Sequence, residues 1–191
     1  TTASNNTAIG YNSLLSNTTG TRNVAIGTNA LDAITTGTNC TAVGMDALTA
    51  NTGSSNTAVG TKAADANTEG THIVAIGEHT LGANTTGSHN TAVGNAALLA
   101  NTTADNNTAV GYEALTANTT GTSNAALGRD ALKANTTGIS NTAVGKDALA
   151  ANTTANNNTA VGTDALTTST TGIQNTAVGF EAGKDNTTGY N

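Results

Sequence analysis

From Asn107 to Ser123 the chain reads Asn-Thr-Ala-Val-Gly-Tyr-Glu-Ala-Leu-Thr-Ala-Asn-Thr-Thr-Gly-Thr-Ser, and at Asn124 the same order begins again. Its first glycine, Gly111, recurs as Gly10, Gly27, Gly44, Gly60, Gly77, Gly94, Gly128, Gly145, Gly162 and Gly179. The step is 17 residues throughout, except for 16 from Gly44 to Gly60. That one shortening falls at Asn51-Thr52-Gly53, where the Asn-Thr-Thr-Gly segment lacks a Thr. A deletion accepted there marks a turn rather than a strand.

A period of 17 is too short for the helical repeats, which need two helices and their turns, roughly 33–47 residues in all. It suits two strands of about five residues joined by tight turns, stacked at the ~4.8 Å strand spacing. Thr-Ala-Val-Gly has the β-branched character of a short strand, and Asn-Thr-Thr-Gly carries turn chemistry. The expected fold is all-β: a parallel β-solenoid, or β-roll, of about eleven 17-residue coils, forming a rod of about 50 Å. Residues 1–191 form one repeat array, which begins and ends partway through a unit, as expected for a fragment of a longer fibre protein.

Composition supports a thin core. Aromatic residues are 2% of the chain, charged residues 9%, and there is neither Trp nor Pro. Ala and Thr cannot fill the thick interior of a globule, yet the high net charge and Pro content of disordered chains are also missing. The net charge of −6 and six scattered basic residues argue against a nucleic-acid partner. No apolar run approaches the ~20 residues of a membrane-spanning helix, so no membrane insertion is expected. The single cysteine, Cys40, rules out an internal disulfide framework.

The columns assign faces. Two residues before each marker Gly stands Ala, from Ala8 to Ala177, and directly before it Val, Ile or Leu. Neighbouring strand residues point to opposite faces, so both faces of this strand are apolar. One packs inside the coil; the other calls for a second copy of the chain. Leu at the fourth position after the marker (Leu31, Leu48, Leu115, Leu149) and Ala two further on (Ala33, Ala117, Ala134) predict the inner face of a second strand. Asp32, Asp65, Lys133 and Lys184 would lie outside it. The Asn column opening each unit contains Cys40 and Ile73 as exceptions. Both residue types favour the interior, so the column is expected to be buried, with amides stacked from coil to coil and Cys40 as a core filler.

Charge gathers just after the marker Gly, at Asp46, Lys62, Glu78, Glu113, Arg129, Asp130, Lys146, Asp147, Asp164 and Glu181. This strip is the expected exposed edge and the candidate binding surface, keeping the rod soluble and discouraging lateral pairing. Tyr11, Tyr112 and Phe180 share its first column but are several coils apart, too far for one stacking platform. His72 and His89 occupy one turn column in adjacent coils, about 5 Å apart. Two such imidazoles can hold a metal, but no third ligand is evident, and the reading assigns no metal, no cofactor and no catalytic residue. No nucleophile-elbow, His-Glu-x-x-His or phosphate-loop motif is present, so an enzyme is not expected.

Asn-Thr-Ala-Val-Gly, at Asn56–Gly60 and Asn141–Gly145, resembles the Ser-Val-Ala-Ile-Gly repeats in the heads of trimeric autotransporter adhesins. Asn23-Val24-Ala25-Ile26-Gly27 and Ile73-Val74-Ala75-Ile76-Gly77 come nearest. The longer unit is similar to arrays in bacteriophage tail fibres and related bacterial surface proteins. The resemblance implies a left-handed coil, a homotrimer, and an extracellular place on a virion tail fibre or bacterial cell surface. The function expected from it is a structural and adhesive fibre segment facing a cell-surface receptor or glycan. Two alternatives stand beside it: an ice-binding solenoid built on Thr columns, and a passive spacer.

Overall fold

The computed structural model describes residues 2–190. Among them are eleven strands of three residues each, from β1 (Thr7–Ile9) to β11 (Thr176–Val178), and no helix. All pair in parallel, in sequence order, as one sheet. Each strand lies on the equivalent residues one repeat away, so Thr7 pairs with Val24, Ala8 with Ala25 and Ile9 with Ile26. The 16-residue step leaves this register intact: Thr41 pairs with Thr57, and Thr57 in turn with Val74. The chain is a β-solenoid whose coils repeat in register.

Each coil holds one strand where two were expected. The Leu-bearing segment is a run of tight turns, and the reason lies in its backbone. Leu31, Leu48, Leu98, Leu115 and their equivalents have φ between 50° and 55°, in the left-handed region. So does the second residue after the marker Gly, as at Asn29 (φ 56) and Asp130 (φ 58). Left-handed residues break the alternation of side chains that an extended strand imposes. Consecutive residues Ala30 and Leu31 therefore both point inward at 0% exposure, whereas Ala33, Ala117 and Ala134 are only half-buried. Backbone bonding between coils continues through these turns, with Leu31 N–H donating to Ala47 O at 3.1 Å and Ala33 N–H to Thr49 O at 3.2 Å.

The core is a narrow column of Ala25, Ala30, Leu31, the opening Asn, and their equivalents. On each interior strand the central Ala is buried, while the Thr and Val flanking it face outward. The outward Val column is apolar along the whole rod yet open: Ile76 is 39% and Leu127 50% exposed. The marker Gly makes the sharp exit from the strand. Its φ is between 128° and 140° in all eleven coils, a conformation that only glycine adopts readily.

Candidate functional site

Two columns of asparagine run inside the solenoid. In the first, expected from sequence, each side-chain oxygen accepts the backbone N–H of the next member: Asn23 N–H donates to Asn6 Oδ1 at 2.8 Å and Cys40 N–H to Asn23 Oδ1 at 2.9 Å. The amide Nδ2 donates to a turn carbonyl, as Asn23 to Gly37 O at 2.9 Å and Asn107 to Gly121 O at 2.9 Å. The column thus stitches side chain to backbone more than amide to amide.

The second column lies in the segment read from sequence as a turn, and it is buried. It is the Asn of each Asn-Thr-Thr-Gly segment, and here the amides bond one another directly. Nδ2 of Asn67 donates to Asn51 Oδ1 at 2.7 Å, Asn84 to Asn67 at 2.7 Å, Asn101 to Asn84 at 2.8 Å, and the series continues to Asn152. Where the column is interrupted, it leaves orphans. Ile34 follows Asn17, and Ser169 follows Asn152; Asn17 Oδ1, Asn152 Oδ1 and Ser169 Oγ are buried without a partner. These columns hold the coils in register and so fix where the outer residues stand.

Of the predicted strip, Glu78, Arg129, Lys146 and Glu181 are exposed, and Asp46, Lys62, Glu113, Asp147 and Asp164 are half-buried. Asp130 departs from the expectation: it is only 5% exposed. Its burial follows from two neighbours that lie over it, Arg129 (Nε to Oδ2 2.8 Å) and Lys133 (Nζ to Oδ1 3.1 Å). Lys133 also reaches back one coil to Glu113 Oε2 at 2.6 Å, joining four charges on two coils. Sequence reading placed Lys133 on the outside but not in this network. The usable signal was spacing, since Lys133 follows Asp130 by three residues and Glu113 by one repeat plus three.

The electrostatics follow the contacts. Burial pushes the Asp130 carboxyl up, but the hydrogen bonds from Lys133 and Arg129 outweigh it and hold its pKa below the usual aspartate value. Lys133 is raised by its bonds to Glu113 and then Asp130, and Glu113 is lowered by Lys133 and Tyr112. Tyr112 is raised by its bond to the Glu113 carboxylate. Elsewhere the strip forms simple pairs, Lys146 with Asp147 and Lys184 with Glu181. Asp32 is raised chiefly by burial, with the Asp46 charge adding to it.

Cys40 is fully buried, its Sγ 3.4 Å from Gly53 O and its thiol pKa raised by burial. This matches the core-filler reading. The His72 and His89 rings stack in parallel, with centroids 5.1 Å apart and planes inclined by 4°. Tyr11, Tyr112 and Phe180 are exposed and separate, as expected. No cavity opens among the described residues, and none of them form a cluster of three or more metal-ligating side chains. Comparison with protein-family models, curated proteins and solved structures yields no match.

Proposed function

We propose that this chain is a structural and adhesive segment of an extracellular fibre, assembled as a homotrimer on a virion tail or a bacterial surface. The observation that carries this reading is the outward Val column. Eleven coils place Val, Ile or Leu on an open face, beside a Thr column that carries no charge. A soluble monomer rarely leaves so continuous an apolar strip uncovered. A second copy of the same rod is the natural cover, because its residues recur at the same axial spacing and it brings no unpaired charge into the contact. The charged strip after the marker Gly then faces outward for a cell-surface receptor or glycan. Light scattering on the purified chain tests the assembly: a mass of three chains is expected, and a stable monomer at micromolar concentration rejects it. Adhesion is tested by binding of the fluorescently labelled protein to candidate host cells.

A second reading, an ice-binding solenoid, draws on the same face. Thr7, Thr41, Thr57 and Thr91 project outward on an in-register sheet, although Val24, Val74 and Ala125 interrupt the row. The other Thr column is less suited, because its hydroxyls are committed to the backbone. Thr18 Oγ1 donates to Thr35 O at 3.1 Å, and Thr85 Oγ1 to Thr102 O at 3.0 Å. Thermal hysteresis and shaping of ice crystals by the protein would favour this reading; their absence dismisses it.

A further inference from the structure

We propose that His72 and His89 form a two-nitrogen binding site for a divalent first-row transition-metal ion. The two residues occupy one column in successive coils, each with left-handed backbone (φ 56 and 58), so their side chains leave the turn in the same direction. Their axial relation is fixed by the solenoid. His72 N–H donates to Ser54 O at 3.4 Å and His89 N–H to Thr71 O at 3.0 Å, each one coil below. The rings are exposed and parallel, 5.1 Å between centroids.

Metal–imidazole bonds of about 2.0–2.1 Å require the two nitrogens to converge to ~3 Å. Parallel rings reach that by tilting toward each other about their own side-chain torsions, and both residues are exposed. The backbone stays in place. Much of the entropy of bringing two ligands together is thus already spent in folding, the usual source of affinity in a preorganised site. His72 Nδ1 lies 3.1 Å from Thr71 Oγ1, which orients the ring and leaves Nε2 as the outward ligand. The carboxylate of Asp105, one coil on, bonds the Ser88 N–H beside His89 at 2.7 Å and adds negative charge nearby.

Imidazole nitrogen selects Cu(II), Ni(II) and Zn(II) over Ca(II) and Mg(II), which prefer oxygen, and Cu(II) binds most tightly. With two protein ligands, water fills the remaining positions. Both ligands come from one chain, so the site does not rest on the fibre reading.

The test is titration calorimetry of the whole chain with CuCl2, ZnCl2 and MgCl2 in turn, with copper paramagnetic resonance on the loaded protein. Expected are one Cu(II) per chain, weaker Zn(II), no Mg(II), and two nitrogen ligands in the copper spectrum. His72→Gln and His89→Gln should each weaken Cu(II) at least tenfold and reduce the nitrogen count, while His79→Gln leaves both unchanged. Gln already occupies this column at Gln174 with φ 60, so these substitutions suit the backbone, and Asn, present at Asn39 and Asn106, is a second choice. Unsaturable binding, an equal loss in His79→Gln, or an unchanged nitrogen count in His72→Gln overturns the proposal.

Discussion

Ser169 stands where the inner column would place the amide that Asn152 Oδ1 accepts from, and both oxygens are left buried without a partner. Six preceding members of that column, Asn67 to Asn152, each donate to the one below. Ser169→Asn should extend the series, giving a donor to Asn152 Oδ1 and another to the carbonyl of Gly172. An orphaned buried acceptor costs about 1–3 kcal/mol, so a gain of about 1–2 kcal/mol is expected in denaturant unfolding. A lower midpoint for the variant would contradict this account of the column.

The two glycine columns should respond differently to alanine. Gly60 has φ 136, and a Cβ there would sit 2.6 Å from Gly77 O and 2.7 Å from its carbon, both immovable backbone. Strain and overlap together predict a cost of about 2–4 kcal/mol for Gly60→Ala. Gly87 also faces a backbone oxygen, but its column already holds Ala104 and Ala155, both buried. Gly87→Ala should cost less than Gly60→Ala by about 2 kcal/mol. Paired unfolding curves decide, and equal losses would remove the distinction.

Acid should weaken the Asp130 network. The folded carboxyl has a pKa below the usual aspartate value, so the folded chain binds fewer protons than the unfolded one in that range. Its stabilisation is present above the unfolded value and is lost as pH falls through the folded one. Unfolding midpoints between pH 5 and about 2 should drop more steeply in the wild type than in Asp130→Asn. Parallel curves would show that Lys133 and Arg129 contribute nothing there.

The Cys40 thiol should resist alkylation while the chain is folded. It is at 0% exposure and its pKa is raised by burial, so neither access nor thiolate is at hand. Iodoacetamide labelling followed by mass spectrometry should track global unfolding. Rapid modification in native buffer would place Cys40 at the surface and refute its role in the core.

The fold was legible because one glycine column states the coil length and the residues before it state which strand stacks on which. Burial of the first Asn column was legible from Cys40 and Ile73. The same argument applied to Ile34 would have found the second column, hidden because Asn-Thr-Thr-Gly resembles any surface turn. The missing second strand had a signal too. Gly183 stands in the Leu column, and Asn and Asp recur two residues earlier, both tolerant of left-handed backbone. Leu is not, and its strong apolar character concealed the turn. Asp130 was misplaced because its cover comes from Lys133, whose reach across coils no single repeat reveals.

The bonds from one member of a column to the next share one direction. In both columns, donors on the higher-numbered coil meet oxygens on the lower, from Asn23 onto Asn6 and from Asn67 onto Asn51. The rod therefore has a heads and a tails. Along these column bonds the low-numbered face presents N–H groups and the high-numbered face asparagine oxygens, while the backbone ladder bonds in both directions, Thr7 N–H to Asn23 O and Gly27 N–H to Ile9 O. A plug that meets the asparagine columns at one face is mismatched to them at the other, so the orientation of the rod is carried by its interior amides.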